Sequence, residues 1–193
     1  MEYTINRTKR NNIILSSSFL ILYVLITRLL FFINTPTKID TVEMLIRNVI
    51  YLIPFGYLML AFFNYLRHYK LKGLQISILI IFIMEVIFKS TLFTNLVEST
   101  WEKAVLLSAS TIWIAATIGL IVFLFNNKTK DYPGALSIRN YAISSLLIYV
   151  LSTTIPFYVQ LDNILATQQL VGLTAVIPYI FTINFAIKLY LKE

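Results

Sequence analysis

The chain has 193 residues, of which 58% are hydrophobic and 13% are charged. Soluble domains contain about 45–50% apolar and about 25% charged residues, so this composition excludes an ordinary soluble domain. The absence of cysteine excludes disulfides, thiol catalysis and cysteine-ligated metals, and the single histidine excludes motifs that need two. The net charge of +7 is spread through loops, so we interpret it as membrane-flanking charge and expect no nucleic-acid partner.

Six apolar segments are each long enough to cross a bilayer core about 30 Å thick. Helices are expected because lipid offers no partner for an open strand edge. The first segment is interpreted as a retained span, because its apolar region of roughly 20 residues exceeds that of a signal peptide. We therefore predict an all-α polytopic membrane bundle, a single integral membrane domain over residues 1–193, with no cofactor and no metal. The predicted spans are about 13–33, 45–66, 73–95, 104–126, 137–158 and 167–190.

Basic residues concentrate on one side of the predicted bundle. Eleven of the 16 lie near the termini, between spans two and three, or between spans four and five, whereas three lie on the other side of the bundle. The positive-inside rule therefore predicts that both termini are cytoplasmic. The eleven are Arg7, Lys9, Arg10, Arg67, Lys70, Lys72, Lys128, Lys130, Arg139, Lys188 and Lys192, and the three are Lys38, Arg47 and Lys103.

Charged residues also lie inside the predicted spans, where an unpaired charge costs roughly 2.5–3.5 kcal/mol on insertion scales. Glu85 and Lys89 are one helical turn apart in span three, in the order that favours an ion pair, and Arg28 lies in the outer third of span one. Three interpretations are open. The pair fixes packing only, the three residues line an outward-open cavity that binds a ligand, or Glu85 carries a proton or an ion.

Span two contains the segment NVIYLIPFG, which runs from Asn48 to Gly56. Pro54 removes one helical hydrogen bond, so a kink is predicted, and Gly56 allows a neighbouring helix to approach closely. The Asn-x(5)-Pro-x-Gly pattern resembles the signature of VanZ-like membrane proteins. Glu85 on the next helix stands where that family has an acidic residue, whereas Phe88 stands in place of its glutamine.

The resemblance covers roughly residues 45–120 and implies a bacterial plasma-membrane protein of the cell envelope, in a group associated with resistance to teicoplanin-type glycopeptides. It also implies functional roles for Asn48, Pro54, Gly56 and Glu85. Arg28 and Lys89 join this predicted polar cluster on physical grounds alone.

The first hypothesis is therefore a VanZ-like envelope protein whose outward-facing cavity binds an amphiphilic or lipid-linked ligand. The alternatives are a solute-binding subunit of a multi-component transporter and a non-catalytic assembly subunit of a membrane complex. The expected partners are the lipid bilayer, the ligand and a further membrane protein. The sequence shows no Asp pair, Ser/His pair, His cluster or phosphate-binding glycine loop, so an enzyme is the less favoured interpretation.

Overall fold

The computed structural model describes residues 3–33, 41–91, 100–125, 132–158, 167 and 170–190. Its long helices confirm the predicted all-α bundle. Five are continuous, and the sixth crossing, Leu170–Lys188, contains a 3-10 turn, Thr174–Val176, ahead of its final helix. The helices are α1 (Arg7–Ile33), α2 (Thr41–His68), α3 (Lys72–Thr91), α4 (Thr100–Leu124), α5 (Ala135–Tyr158) and α6 (Ile177–Lys188).

Six segments of these helices are long and apolar enough to span a membrane, in agreement with the number predicted. The chain is thus a multi-pass membrane protein. α1 begins at Arg7 rather than near residue 13, because the Asn6 side chain caps it by accepting a hydrogen bond from the Lys9 amide at 2.9 Å.

Several predicted features lie outside the described residues, namely the span ends at 92–95 and 126, residues 168–169, and Lys38, Lys128, Lys130 and Lys192.

Each helix packs against its neighbours in the chain, and the sixth crossing also packs against α1. The six crossings therefore form a closed ring in chain order. Short connections between consecutive helices favour antiparallel neighbours, which places alternate helix ends on the same side of the ring.

Both described chain ends lie at one end of the bundle. The Ile5 amide donates a hydrogen bond to the Leu189 carbonyl at 3.0 Å, and Ile5 and Tyr190 form a short parallel bridge. The Arg10 guanidinium lies 4.1 Å from the centre of the Tyr190 ring. We call this the basic end, and the opposite one the far end. That the basic end faces the cytoplasm stays a prediction from the charge distribution.

Large apolar side chains cover the outside of the ring. Leu15, Ile53 and Leu107 are each 70% exposed, and they lie on three different helices. A soluble monomer rarely exposes an apolar surface of this extent, whereas hydrocarbon chains solvate it at no cost. The exposed faces are therefore the lipid-facing surface of the protein.

Aromatic side chains pack the half of the bundle nearest the basic end. The Phe62 ring lies edge-on to Phe185 with a centroid distance of 5.0 Å, and Tyr65 contacts the same ring at 5.3 Å. Each of these side chains is at most 1% exposed. These buried, contacting rings form the aromatic core of this half.

Candidate functional site

A cavity of about 520 Å³ lies on the axis of the ring and reaches from its middle toward the far end. Its lining extends from Leu106 to Thr117 on α4 and from Tyr141 to Ser152 on α5, which is about 16 Å of helix in each case. All six crossings contribute to it. Small-molecule sites typically enclose about 300–1,000 Å³, so the volume suits a ligand.

The cavity wall is mainly aromatic and aliphatic. Four tyrosines and one tryptophan line it, together with four hydroxyl side chains and two charged residues, Glu85 and Arg28. The aromatic residues are Tyr51, Phe55, Phe88, Trp113, Tyr141, Tyr149 and Tyr179, and the serine and threonine residues are Ser110, Thr117, Ser145 and Ser152. A mostly apolar wall with a few polar groups is the usual character of a small-molecule site.

The aromatic core closes the cavity on the side of the basic end. Tyr141 forms part of the cavity floor, and its ring meets Phe62 edge-on at a centroid distance of 5.4 Å. Below Phe62 lie further side chains that are at most 2% exposed, among them Leu66, Leu124 and Ile138. Within the described residues, the cavity is therefore a dead end rather than a section of a pore.

Glu85 lies on the cavity wall, on the third helix. Tyr51, Tyr141 and Tyr179 are close enough to its carboxylate for their hydroxyl groups to interact with it electrostatically. The Tyr51 and Tyr179 hydroxyls are themselves joined by a hydrogen bond of 3.0 Å. Among the described residues, the carboxylate is in no ion pair, and the salt bridge found there joins Arg47 to Glu43 instead.

Lys89 points away from the cavity, although the sequence suggested that it would share a site with Glu85. Its ammonium lies 4.6 Å from the centre of the Tyr51 ring, in a cation–π arrangement. The one-turn spacing therefore does not produce an ion pair, because Tyr51 draws Lys89 toward the second helix. Tyr51 separates the ammonium from the cavity.

Arg28 reaches the cavity from α1 and packs against the backbone of Gly172. A Cβ atom added to Gly172 would lie 2.5 Å from the Arg28 Nε atom, so only glycine leaves room for this side chain. The backbone nearby is shaped by Pro178, which has no amide hydrogen to bond the Thr174 carbonyl. The Ile177 amide bonds that carbonyl instead, which gives the 3-10 turn in the cavity wall.

The residues that carry the family resemblance lie outside the cavity, Glu85 excepted. Asn48 is 6% exposed and donates a hydrogen bond from Nδ2 to the Lys89 carbonyl at 3.0 Å, which ties α2 to α3. A Cβ atom on Gly56 would lie 3.3 Å from the Phe82 ring, so Gly56 also serves the contact between these helices. Pro54 lines a groove between α1 and α2. The predicted cluster is thus divided between a cavity and a helix contact.

The sequence analysis missed the contribution of α4 and α5. On α5, Tyr141, Ser145, Tyr149 and Ser152 recur every three or four residues, which is the spacing of one helix face. On α4, Ser110, Trp113 and Thr117 follow the same spacing. These polar and aromatic stripes were the signal that could have located the site.

The described residues contain no group of three or more histidine, aspartate and glutamate side chains that could hold a metal ion. The hydroxyl groups on α4 bond within their own helix, Ser110 to the Leu106 carbonyl and Thr117 to the Trp113 carbonyl, both at 2.8 Å. Within this described lining, the Glu85 carboxylate, the Arg28 guanidinium, the tyrosine hydroxyls and the Ser145 and Ser152 hydroxyls remain as groups that can bind a polar ligand.

The fold and the site define a six-span helical membrane protein with an aromatic-lined central cavity that is closed at the basic end. Comparisons of the chain with protein families, with curated proteins and with solved structures found no match.

Proposed function

We propose that the protein binds an amphiphilic ligand in its central cavity. The observation that carries this proposal is the cavity itself, whose long aromatic wall suits an apolar chain and whose Glu85 and Arg28 suit a polar head group. An amphiphile has both parts, and the membrane around the ring supplies it. The ligand has the chemistry of a lipid or of a lipid-linked compound.

The closed floor favours binding over passage of a proton or an ion. A carrier needs polar groups on both sides of its central site, as in the proton relays of transporters. Here the path from the cavity to the basic end is blocked by Phe62, Tyr65 and Phe185, which are packed ring against ring. Glu85 is therefore better suited to holding a ligand than to relaying a proton.

For the biological setting we propose the plasma membrane of a bacterium, where the protein acts in the cell envelope as VanZ-like proteins do. The Asn48–Gly56 segment and Glu85 support this role through the resemblance described above. Binding of an envelope amphiphile would then be the means by which the protein changes susceptibility to teicoplanin-type glycopeptides.

Two adjacent residues on α4 provide a matched test of binding. Ser110 lines the cavity and Thr111 faces outward, yet each hydroxyl only bonds a carbonyl of its own helix. We expect Ser110→Trp to fill the cavity and remove a bound amphiphile from the purified protein, as measured by native mass spectrometry. Thr111→Trp should retain it at the wild-type level. Equal retention by both variants would exclude the cavity as the binding site.

The envelope role has a separate test. Expression of the wild-type chain in a teicoplanin-susceptible bacterium should raise the minimal inhibitory concentration, and Ser110→Trp should abolish the increase while Thr111→Trp preserves it. No increase with the wild-type chain would exclude the role in resistance without affecting the binding result. Recovery of an ATPase and a second membrane protein with the purified chain would favour the transporter subunit instead.

A further inference from the structure

The Glu85 carboxylate lies on the wall of a cavity inside the membrane with no ion-pair partner among the described residues. Neither of the two cations that the sequence predicted near the carboxylate, Lys89 and Arg28, forms an ion pair with it. Lys89 lies over Tyr51, whereas Arg28 packs against Gly172 and interacts electrostatically with Tyr23. A charge in this setting is usually paired, and no described residue forms an ion pair with Glu85, so the carboxylate can accept a positive charge from a ligand.

The cavity that Glu85 lines also contains the aromatic rings from which cation sites are built. Trp113 and Tyr149 lie side by side on the wall, with a centroid distance of 5.3 Å and an angle of 40° between their planes. Tyr141 and Tyr179 line the same cavity and interact electrostatically with Glu85. The faces of aromatic rings attract ammonium groups, and aromatic cages that include a carboxylate are well suited to quaternary ammonium.

We infer that the cavity selects amphiphiles with a cationic ammonium head group, with the ammonium held by Glu85 and by the rings of Trp113 and Tyr149. This inference rests on the proposed function and adds the charge of the ligand to it. A neutral head group would leave the carboxylate without a counter-charge, and an anionic one would repel it. The aliphatic chain of the ligand lies along the remaining apolar wall.

The two tryptophans make a direct binding assay possible. Trp113 lines the cavity, whereas Trp101 is 76% exposed, so Trp101→Phe leaves Trp113 as the single reporter. The probes are three dodecyl compounds that each carry a TEMPO nitroxide at the head group, one with a quaternary ammonium, one with a neutral amide and one with a phosphate. In lipid nanodiscs, we expect saturable quenching of Trp113 by the ammonium probe at concentrations about tenfold or more below those of the others.

Two sets of variants test the origin of this preference in the same background. Glu85→Gln keeps the shape of the side chain and should lower the affinity for the ammonium probe about tenfold or more, with little effect on the neutral probe. Tyr149→Phe should preserve binding because it keeps the ring, whereas Tyr149→Leu should weaken it. The Tyr149 pair gives an independent result if Glu85→Gln does not fold. As a control, a Trp113→Phe protein retains Trp101, which does not line the cavity. Quenching of Trp101 in this protein measures the background from probe dissolved in the lipid.

The quenching results distinguish a failure of the charge preference from a failure of amphiphile binding itself. Equal saturable quenching by all three probes, lost on Ser110→Phe, would overturn the charge preference and leave amphiphile binding intact. A preference for the phosphate probe would likewise overturn it and identify Arg28 as the determinant. No saturable quenching by any probe would overturn both proposals.

Discussion

The Asn48 side chain donates a hydrogen bond to the backbone carbonyl of Lys89, 41 residues further along the chain, at 3.0 Å. The bond joins the far ends of α2 and α3 next to the cavity. It also fixes the backbone of Lys89, whose ammonium in turn lies over the Tyr51 ring of the cavity wall. A residue that the family resemblance marks as functional thus acts by positioning two helices.

Replacing Asn48 should therefore lower stability without removing ligand binding. We expect Asn48→Ala to reduce the free energy of unfolding by about 1 kcal/mol, because the half-buried Lys89 carbonyl loses its side-chain partner. Thermal unfolding of the detergent-purified protein measures this. Asn64→Ala is the matched control, since Asn64 is exposed on the same helix and should be unaffected. Equal stability of both variants would show that the bond contributes nothing.

Replacement by leucine should change the stability of the protein differently at two glycines, Gly56 on α2 and Gly73 on α3. Gly56→Leu should destabilise the protein, because even a Cβ atom there lies 3.3 Å from the Phe82 ring and a longer side chain would separate the helices. Gly73→Leu should be neutral or stabilising, since nothing lies within 4 Å of its Cβ position and leucine favours a helix. Unfolding midpoints measured side by side test this, and a loss of similar size at both positions would contradict it.

Gly172 controls the position of Arg28. A methyl group at this position overlaps the guanidinium, so Gly172→Ala should displace the Arg28 side chain from the cavity wall while changing stability little. Arg28→Met removes the same positive charge from the cavity wall, so both variants should bind the ammonium probe at least as tightly as the wild-type protein. Adding Gly172→Ala to Arg28→Met should have no further effect on that affinity. The affinities of the four proteins for the ammonium probe form the test, and independent, additive changes would mean that Gly172 acts by another route.

The absence of cysteine allows the cavity to be mapped by labelling. A membrane-impermeant thiol reagent added from outside should label Ser152→Cys, which lines the cavity toward its far end. It should not label Ser137→Cys, which is fully buried near the basic end. Labelling of Ser152→Cys only from the cytoplasmic side would contradict the predicted orientation.

Composition and hydropathy were sufficient to predict the helical class and the six spans, because each crossing must be apolar over about 20 residues. The polar cluster was harder to predict. Spacing placed Glu85 and Lys89 on one face of a helix, but rotamers and the neighbouring helix decide where a long side chain points. Tyr51 attracts Lys89 toward α2, and that contact depends on how α2 packs on α3.

The cavity itself could not be derived from local sequence, because it depends on the order of the helices around the ring. Trp113 on α4 and Tyr179 on α6 are distant in sequence and share a wall only once the ring has closed. The polar and aromatic stripes on α4 and α5 indicate helix faces that do not face lipid. The stripes alone do not indicate that these two faces line the same cavity as Glu85.

A density map of the protein purified in nanodiscs of its native lipids is the most direct test of ligand binding in the cavity. We expect an elongated density on the axis of the ring, along the cavity-lining faces of α4 and α5, with its polar end next to the Glu85 carboxylate and the rings of Trp113 and Tyr149. A cavity that has collapsed onto its own side chains, with Glu85 turned toward the bilayer and no bound molecule, would contradict the proposal.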